Sequence, residues 1–137
     1  MHTRQVGFGA QSGPIGLVFE HLAGVGSGAQ TGAGGSTLVG TAQLRRGQQV
    51  PLAGESTHPA DEYSYVLSGR VEIEIGGQVH LAGPGTFMLI PAGEGHITRA
   101  VEDAEVLWWW VGRPQDFADL KAAYPAEAAR MAADSLP

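Results

Sequence analysis

The sequence predicts an all-β fold, a sandwich or a barrel, on three observations. Short segments of alternating or branched apolar residues recur along the chain, turn-forming residues separate them, and the 21 glycines and 8 prolines suit many tight turns better than long helices. The chain has 137 residues, 43% hydrophobic and 16% charged, which is the size and composition of one globular domain. Residues 1–137 are therefore expected to form a single domain, with a barrel core over about 15–112 and a helical tail over 114–135.

The expected strands are Ile15–Leu22, Ser36–Leu44, Glu62–Ser68, Arg70–Ile75, Gln78–Ala82, Thr86–Ile90, His96–Val101 and Glu105–Gly112. Between the first two, Gly24–Gly35 holds six glycines and no large side chain except Val25, a flexible connection or lid. It is not a phosphate loop, because Ser36 and Thr37 follow Gly35 with no lysine nearby. In the middle of the chain, Ser68-Gly69 and Gly76-Gly77 supply turns, and Val71, Ile73 and Ile75 alternate with Glu72 and Glu74, so the meander has one buried face. After the last strand, Pro114 can open a helix that places Phe117, Leu120 and Tyr124 on one face, and Pro125 is expected to close it before an Ala-rich tail. That helix is expected on the outside of the barrel. No repeat implies a second unit.

Composition excludes several functions. A net charge of −6 without a Lys/Arg-rich run disfavours nucleic acid or an anionic membrane as partner. With no cysteine there is no disulfide, thiolate nucleophile or Cys-ligated zinc, so any metal must rest on histidine and carboxylate. Residues 1–18 lack the basic start and apolar run of a signal peptide, and no segment approaches a membrane span, so the expected location is the cytoplasm.

His58 lies just before a strand that starts with Glu62 and places Glu62, Ser64 and Val66 on one face, with Tyr63, Tyr65 and Leu67 on the other. A carboxylate facing a barrel interior is costly unless it is paired, protonated or bound to a cation. Downstream, Pro91 and Gly93 turn the chain so that His96 heads a strand at a barrel mouth, with Thr98 and Ala100 on its face. Two histidines and one carboxylate can thus converge from two hairpins.

These residues resemble the two motifs of the cupin superfamily. His58, Glu62 and Gly69 match the second histidine, the glutamate and the closing glycine of the first motif, and Gly85, Pro91, Gly93 and His96 match the second motif at every spacing. The resemblance runs from about Ser36 to Gly112 and implies a double-stranded β-helix, the jelly-roll barrel, here with a short C-terminal helical segment. It also implies one divalent transition metal on His58, Glu62 and His96: Fe²⁺ first, with Zn²⁺, Ni²⁺ or Mn²⁺ as alternatives.

The chain departs from the family pattern at three places, with Val50 for the opening glycine, Ser56 for the first histidine and Ala100 for the closing asparagine. The stretch from Gly47 to His58 looks longer than usual, so Glu55 or Thr57 could stand in the vacant place instead of Ser56. Either a two-His-one-carboxylate triad with open positions remains, or the site is degenerate and metal-free. The resemblance thus implies a metal-dependent enzyme on a small organic substrate, a dioxygenase or a cyclase or isomerase of secondary metabolism. The alternative is a small-ligand-binding or sensor protein without turnover. A sensor fused to a DNA-binding unit is disfavoured, since no helix-turn-helix pattern precedes the barrel.

Other polar residues carry bland expectations. His21 and His80 are assigned ordinary surface or core roles, Arg99 faces away from the pocket, and Glu102, Asp103 and Glu105 form a solvated turn. Trp108-Trp109-Trp110 puts two rings on one strand face and one on the other. The preferred reading sends one face into the core and the other against a partner subunit or the helix, which also argues for a homodimer; the sharper reading puts one Trp in a substrate pocket.

Overall fold

The computed structural model describes residue 11 and residues 13–21 and 35–134. The strands are β1 (Ile15–His21), β2 (Ser36–Leu44), β3 (Gln49–Val50), β4 (Asp61–Ser68), β5 (Val71–Ile75), β6 (Gln78–Ala82), β7 (Phe87–Ile90), β8 (His96–Ala100) and β9 (Ala104–Gly112). They form two antiparallel sheets, in the orders β1-β2-β9-β4-β7 and β3-β8-β5-β6. The fold is a jelly roll with a short C-terminal helical segment, as the motifs implied. Apart from Gly35, the Gly24–Gly35 connection and the expected last residue of β1, Leu22, lie outside the described residues. β3 was not anticipated, because two residues pairing only with β8 are too short to show a period.

Alternation along the strands decides what meets in the middle. In the larger sheet, one inward row runs Leu38, Trp110, Glu62, Ile90 and the next runs Gly40, Trp108, Ser64, Met88. Leu17, Leu38, Leu44, Val66, Val71, Ile73 and Val106 fill the core below. Small residues flank the Trp108 ring for a steric reason: a Cβ on Gly40 would lie 2.1 Å from its Cζ2 and 2.4 Å from the Gly16 carbonyl oxygen. Gly69, which turns β4 into β5, is fixed in the same way. Its φ is +71°, and a Cβ there would lie 2.0 Å from the Asp103 carbonyl oxygen.

The turn carrying Asp103 is more than a solvated acidic patch. Its carboxylate accepts from the Arg46 backbone N–H at 2.8 Å and from Arg45 Nη1 at 3.0 Å, tying the β2–β3 and β8–β9 connections together. The hydrogen bond from Arg46 first, and the one from Arg45 second, hold this carboxyl below its ordinary range.

Beyond β9, a 3₁₀ turn (Pro114–Phe117) leads into α1 (Ala118–Ala123) and α2 (Pro125–Asp134). Phe117 is fully buried, and Leu120 and Tyr124 pack on the core, as their shared face predicted. Pro125 follows directly after α1 and its cap residue Tyr124, so it closes that helix as expected. It also opens α2, where a missing N–H does no harm, and α2 buries Met131 and packs on β1. Lys121 Nζ reaches Glu20 Oε1 on β1 at 2.9 Å, a half-buried ion pair that holds α1 to the sheet edge. Among the described residues, no helix is long and apolar enough to cross a membrane.

Candidate metal centre

Two imidazoles are set in the same way. His58, in the loop before β4, has Nδ1 2.6 Å from the Ala60 carbonyl oxygen; His96, the first residue of β8, has Nδ1 3.0 Å from that of Glu94. A carbonyl only accepts, so each Nδ1 carries a hydrogen, and in the neutral ring Nε2 is left with a lone pair. Glu62, near the start of β4, projects inward between them. Its Oε2 lies 2.9 Å from His58 Nε2 and 3.8 Å from His96 Nε2. The 2.9 Å separation is that of an ion pair, yet the angles are not those of a hydrogen bond, and among the described residues the buried Nε2 of His58 has no hydrogen-bond partner.

A carboxylate oxygen crowded by two imidazole nitrogens, with a hydrogen bond to neither, is an arrangement that a cation resolves. One ligand atom from each of His58, Glu62 and His96 lies within 4.8 Å of the others. Their donor set is two neutral imidazole nitrogens and a carboxylate oxygen, and both rings are already oriented through Nδ1 as in metal-binding histidines generally. These residues fit a divalent transition metal.

Backbone pairing brings the two motifs together. Ser56 and His96 exchange both hydrogen bonds, with Ser56 N to His96 O at 2.9 Å and His96 N to Ser56 O at 3.0 Å. The Pro91–Gly93 turn leans on the other motif, since Gly93 N donates to the His58 carbonyl at 2.9 Å and Ala92 N to Asp61 Oδ1 at 2.9 Å. His58 is also held face-on by Trp110, their ring centroids 4.2 Å apart at 26°, and edge-on by His96 at 5.1 Å.

The three side chains stand in the wall of a cavity of about 290 Å³. Val50, Ile73, Ile90, Val106, Trp108, Trp110 and Leu120 give it a largely apolar lining, and among the described residues no lysine or arginine lines it. Part of the lining comes from the C-terminal segment: Asp116, Asp119, Leu120, Ala123 and Tyr124. The helix expected on the outside of the barrel thus closes over its interior. The reason is the placement of Phe117 and Leu120, which pull the 3₁₀ turn and α1 onto the core. Asp116 is neutralised by Arg113, whose backbone N–H donates to it at 2.7 Å and whose Nη2 donates at 3.1 Å; the side-chain bonds, then the backbone one, hold its carboxyl below the usual range. Burial pushes the Tyr124 phenol above its ordinary value, so it is neutral at physiological pH.

Of the residues that could stand for the family's first histidine, Ser56 and Thr57 line the cavity, whereas Glu55 is exposed and lies over Gly95. Thr98 lines the cavity and Ala100 is buried in the core. Arg99 points outward, bonded to Glu74 and Gln49, and His21 and His80 are exposed on their strands. Trp108 and Trp110 both turn inward and line the cavity, while Trp109 turns outward and stacks on Tyr63 at 5.7 Å. Sequence reasoning missed one contact at the site: the Trp110 Nε1–H donates to Glu62 Oε2 at 3.0 Å. The signal was available in principle, because Trp110 and Glu62 are directly opposite in the β4–β9 register, but that register had to be known.

The comparisons agree with this architecture. Residues 43–112 match the family model described as cupin domain. A structure of a protein of unknown function from Streptococcus pyogenes is 29% identical, with a TM-score of 0.51 over 56% of this chain; the chain spans only 64% of that protein's length. A cupin superfamily protein from Desulfitobacterium hafniense is 17% identical, with a TM-score of 0.51 over 61% of this chain and 72% of its own, a likeness of fold alone. Among curated proteins, none matches the chain significantly.

Proposed function

We propose that this chain, which belongs to the cupin domain family, is a metal-dependent enzyme acting on a small, largely apolar organic substrate. One observation carries the reading: the unpartnered Nε2 of buried His58 faces the Glu62 carboxylate, and His96 Nε2 faces the same oxygen, in the wall of an apolar cavity. His58, Glu62 and His96 would hold the ion. Two histidines and one carboxylate form the ligand set of non-heme Fe(II) oxygenases, which places Fe²⁺ and a dioxygenase first; Zn²⁺, Ni²⁺ or Mn²⁺ would instead support a cyclase or isomerase. When bound, the metal supplies Lewis acidity or redox chemistry at a position that the protein leaves open.

The chain's own residues do the rest. With no lysine or arginine in the lining among the described residues, the cavity gives a polyanionic substrate little to replace its lost water, so an uncharged molecule with an apolar body and an oxygen donor fits best. The C-terminal segment shields that molecule from solvent, and the neutral Tyr124 phenol can donate a hydrogen bond to it.

The proposal includes a homodimer. The outer face of the larger sheet presents Tyr63, Tyr65, Leu67, Phe87, Leu89, Leu107 and Trp109, with Phe87 72% and Leu89 52% exposed. A net charge of −6 makes copies of the chain repel at long range, and an uncharged apolar face, complementary to itself, is where two copies can meet at least cost.

Elemental analysis of untagged protein tests the metal reading, followed by reconstitution with Fe²⁺, Zn²⁺, Ni²⁺ and Mn²⁺ in turn. About one ion per chain is the expected result. A wild type that keeps none of the four is a ligand-binding protein without a metal, and the enzyme reading falls.

A further inference from the structure

Trp110 touches two of the three candidate ligands at once. In the β4–β9 register it stands directly opposite Glu62, where side chains of antiparallel neighbours meet. An indole N–H can only donate, so its 3.0 Å bond to Glu62 Oε2 has one direction and holds that carboxylate oxygen in place. The face of the same ring covers the His58 imidazole at 4.2 Å and 26°, while the Ala60 carbonyl fixes its Nδ1 edge. Rotation of the His58 ring therefore requires Trp110 to move.

Trp108 shows that this is not what any inward tryptophan does. It lies on the same face of β9 and is as deeply buried, yet its Nε1 has no hydrogen-bond partner among the described residues. We infer that Trp110 is a positioning residue, which holds the Glu62 carboxylate and the His58 ring in the arrangement that receives the ion. Its purpose rests on the metal reading above; its geometry does not.

Two measurements test it separately. In the metal-free protein, the Trp110 indole resonance of a ¹H–¹⁵N spectrum is identified by its loss in Trp110→Phe. In Glu62→Ala it is expected to move and to exchange faster with water, and an unchanged resonance overturns the clamp. In the second measurement, Zn²⁺ and Co²⁺ are titrated into wild type, Trp110→Phe and Trp109→Phe. Trp110→Phe keeps a ring against His58 but loses the donor, and is expected to bind about 10–100-fold more weakly, the range for a lost outer-shell partner. Its Co²⁺ absorption should change as well, whereas Trp109→Phe should match wild type in both respects. Wild-type affinity and an unaltered Co²⁺ spectrum in a folded Trp110→Phe overturn the positioning role. If the wild type takes up neither ion, the metal reading fails instead, and the indole resonance alone decides whether Trp110 holds Glu62.

Discussion

The two sheets present opposite outer surfaces. On the smaller sheet the outward residues of β5 and β8 include Glu72, Glu74 and Arg99, with Arg99 Nη1 2.8 Å from Glu74 Oε2, and the exposed Val79 and Leu81 of β6 lie beside the two glutamates. On the larger sheet the outward row Val39, Trp109, Tyr63, Leu89 crosses four strands without a charge. Its inward neighbours on β4 are Glu62 and Ser64, so the usual rule of apolar inside and polar outside is reversed there. The smaller sheet is arranged for water on one side and core on the other. The larger one carries the candidate chemistry inside and leaves its apolar residues for something other than the core.

Several changes would break or sharpen this contrast. The largest effect is expected from His96→Ala on the inner face: two remaining ligands hold an ion poorly, and uptake should fall by more than the ~100-fold that bounds an outer-shell loss. Elemental analysis after dialysis reads it, and full retention would mean that the inner face is not a metal site. Next comes Phe87→Asp on the outer face. Light scattering should then report a monomer in place of a dimer at micromolar concentration, with metal content unaltered, because an unpaired charge buried in an interface costs roughly 2–5 kcal/mol. If wild type is already a monomer, the outer face needs another explanation.

Gly40→Ala should lower stability by about 1–3 kcal/mol, read by thermal or urea unfolding, because the added carbon meets both the Trp108 ring and the Gly16 carbonyl. Ser56→His tests the vacant ligand place: if Ser56 occupies it, metal titration should show tighter binding and turnover should fall, since a substrate position is filled. Equal affinity would show that Ser56 does not stand in that place.

The smallest effect belongs to the exposed turn. Folding favours the charged form of Asp103, so its contribution is fully present above its ordinary value of 3.8 and is lost as pH falls through its lower folded value. Asp103→Asn cannot titrate and should flatten the acid limb of the stability curve below that pH. An unchanged limb assigns the acid sensitivity elsewhere, with Asp116, also held low, as the next group to replace.

What could be read from sequence was local. Period-two alternation located the strands, as at Val71, Ile73 and Ile75, and motif spacing selected His58, Glu62 and His96, which the structure brings together. What could not be read depends on pairing between distant segments. The Trp110–Glu62 bond needs the register of β4 on β9, and the path of residues 113–124 over the cavity depends on a core whose shape no local pattern encodes. Pro125 was read as the end of α1, where that helix does end, but its second role in opening α2 was not, because a proline ends one helix and opens another with equal ease.

The closure of the cavity by the C-terminal segment also separates the elements that gather the candidate ligands from the one that covers them. Both motifs and every strand that carries them precede Arg113, so the three candidate ligands can converge once β9 has paired with β2 and β4. Residues 113–124 add none of those ligands; Leu120 and Tyr124 cover the interior, and Lys121 ties their segment to Glu20 on β1. Opening of this segment at the Lys121–Glu20 pair would thus uncover the interior while leaving the three candidate ligands where the strands and their loops hold them.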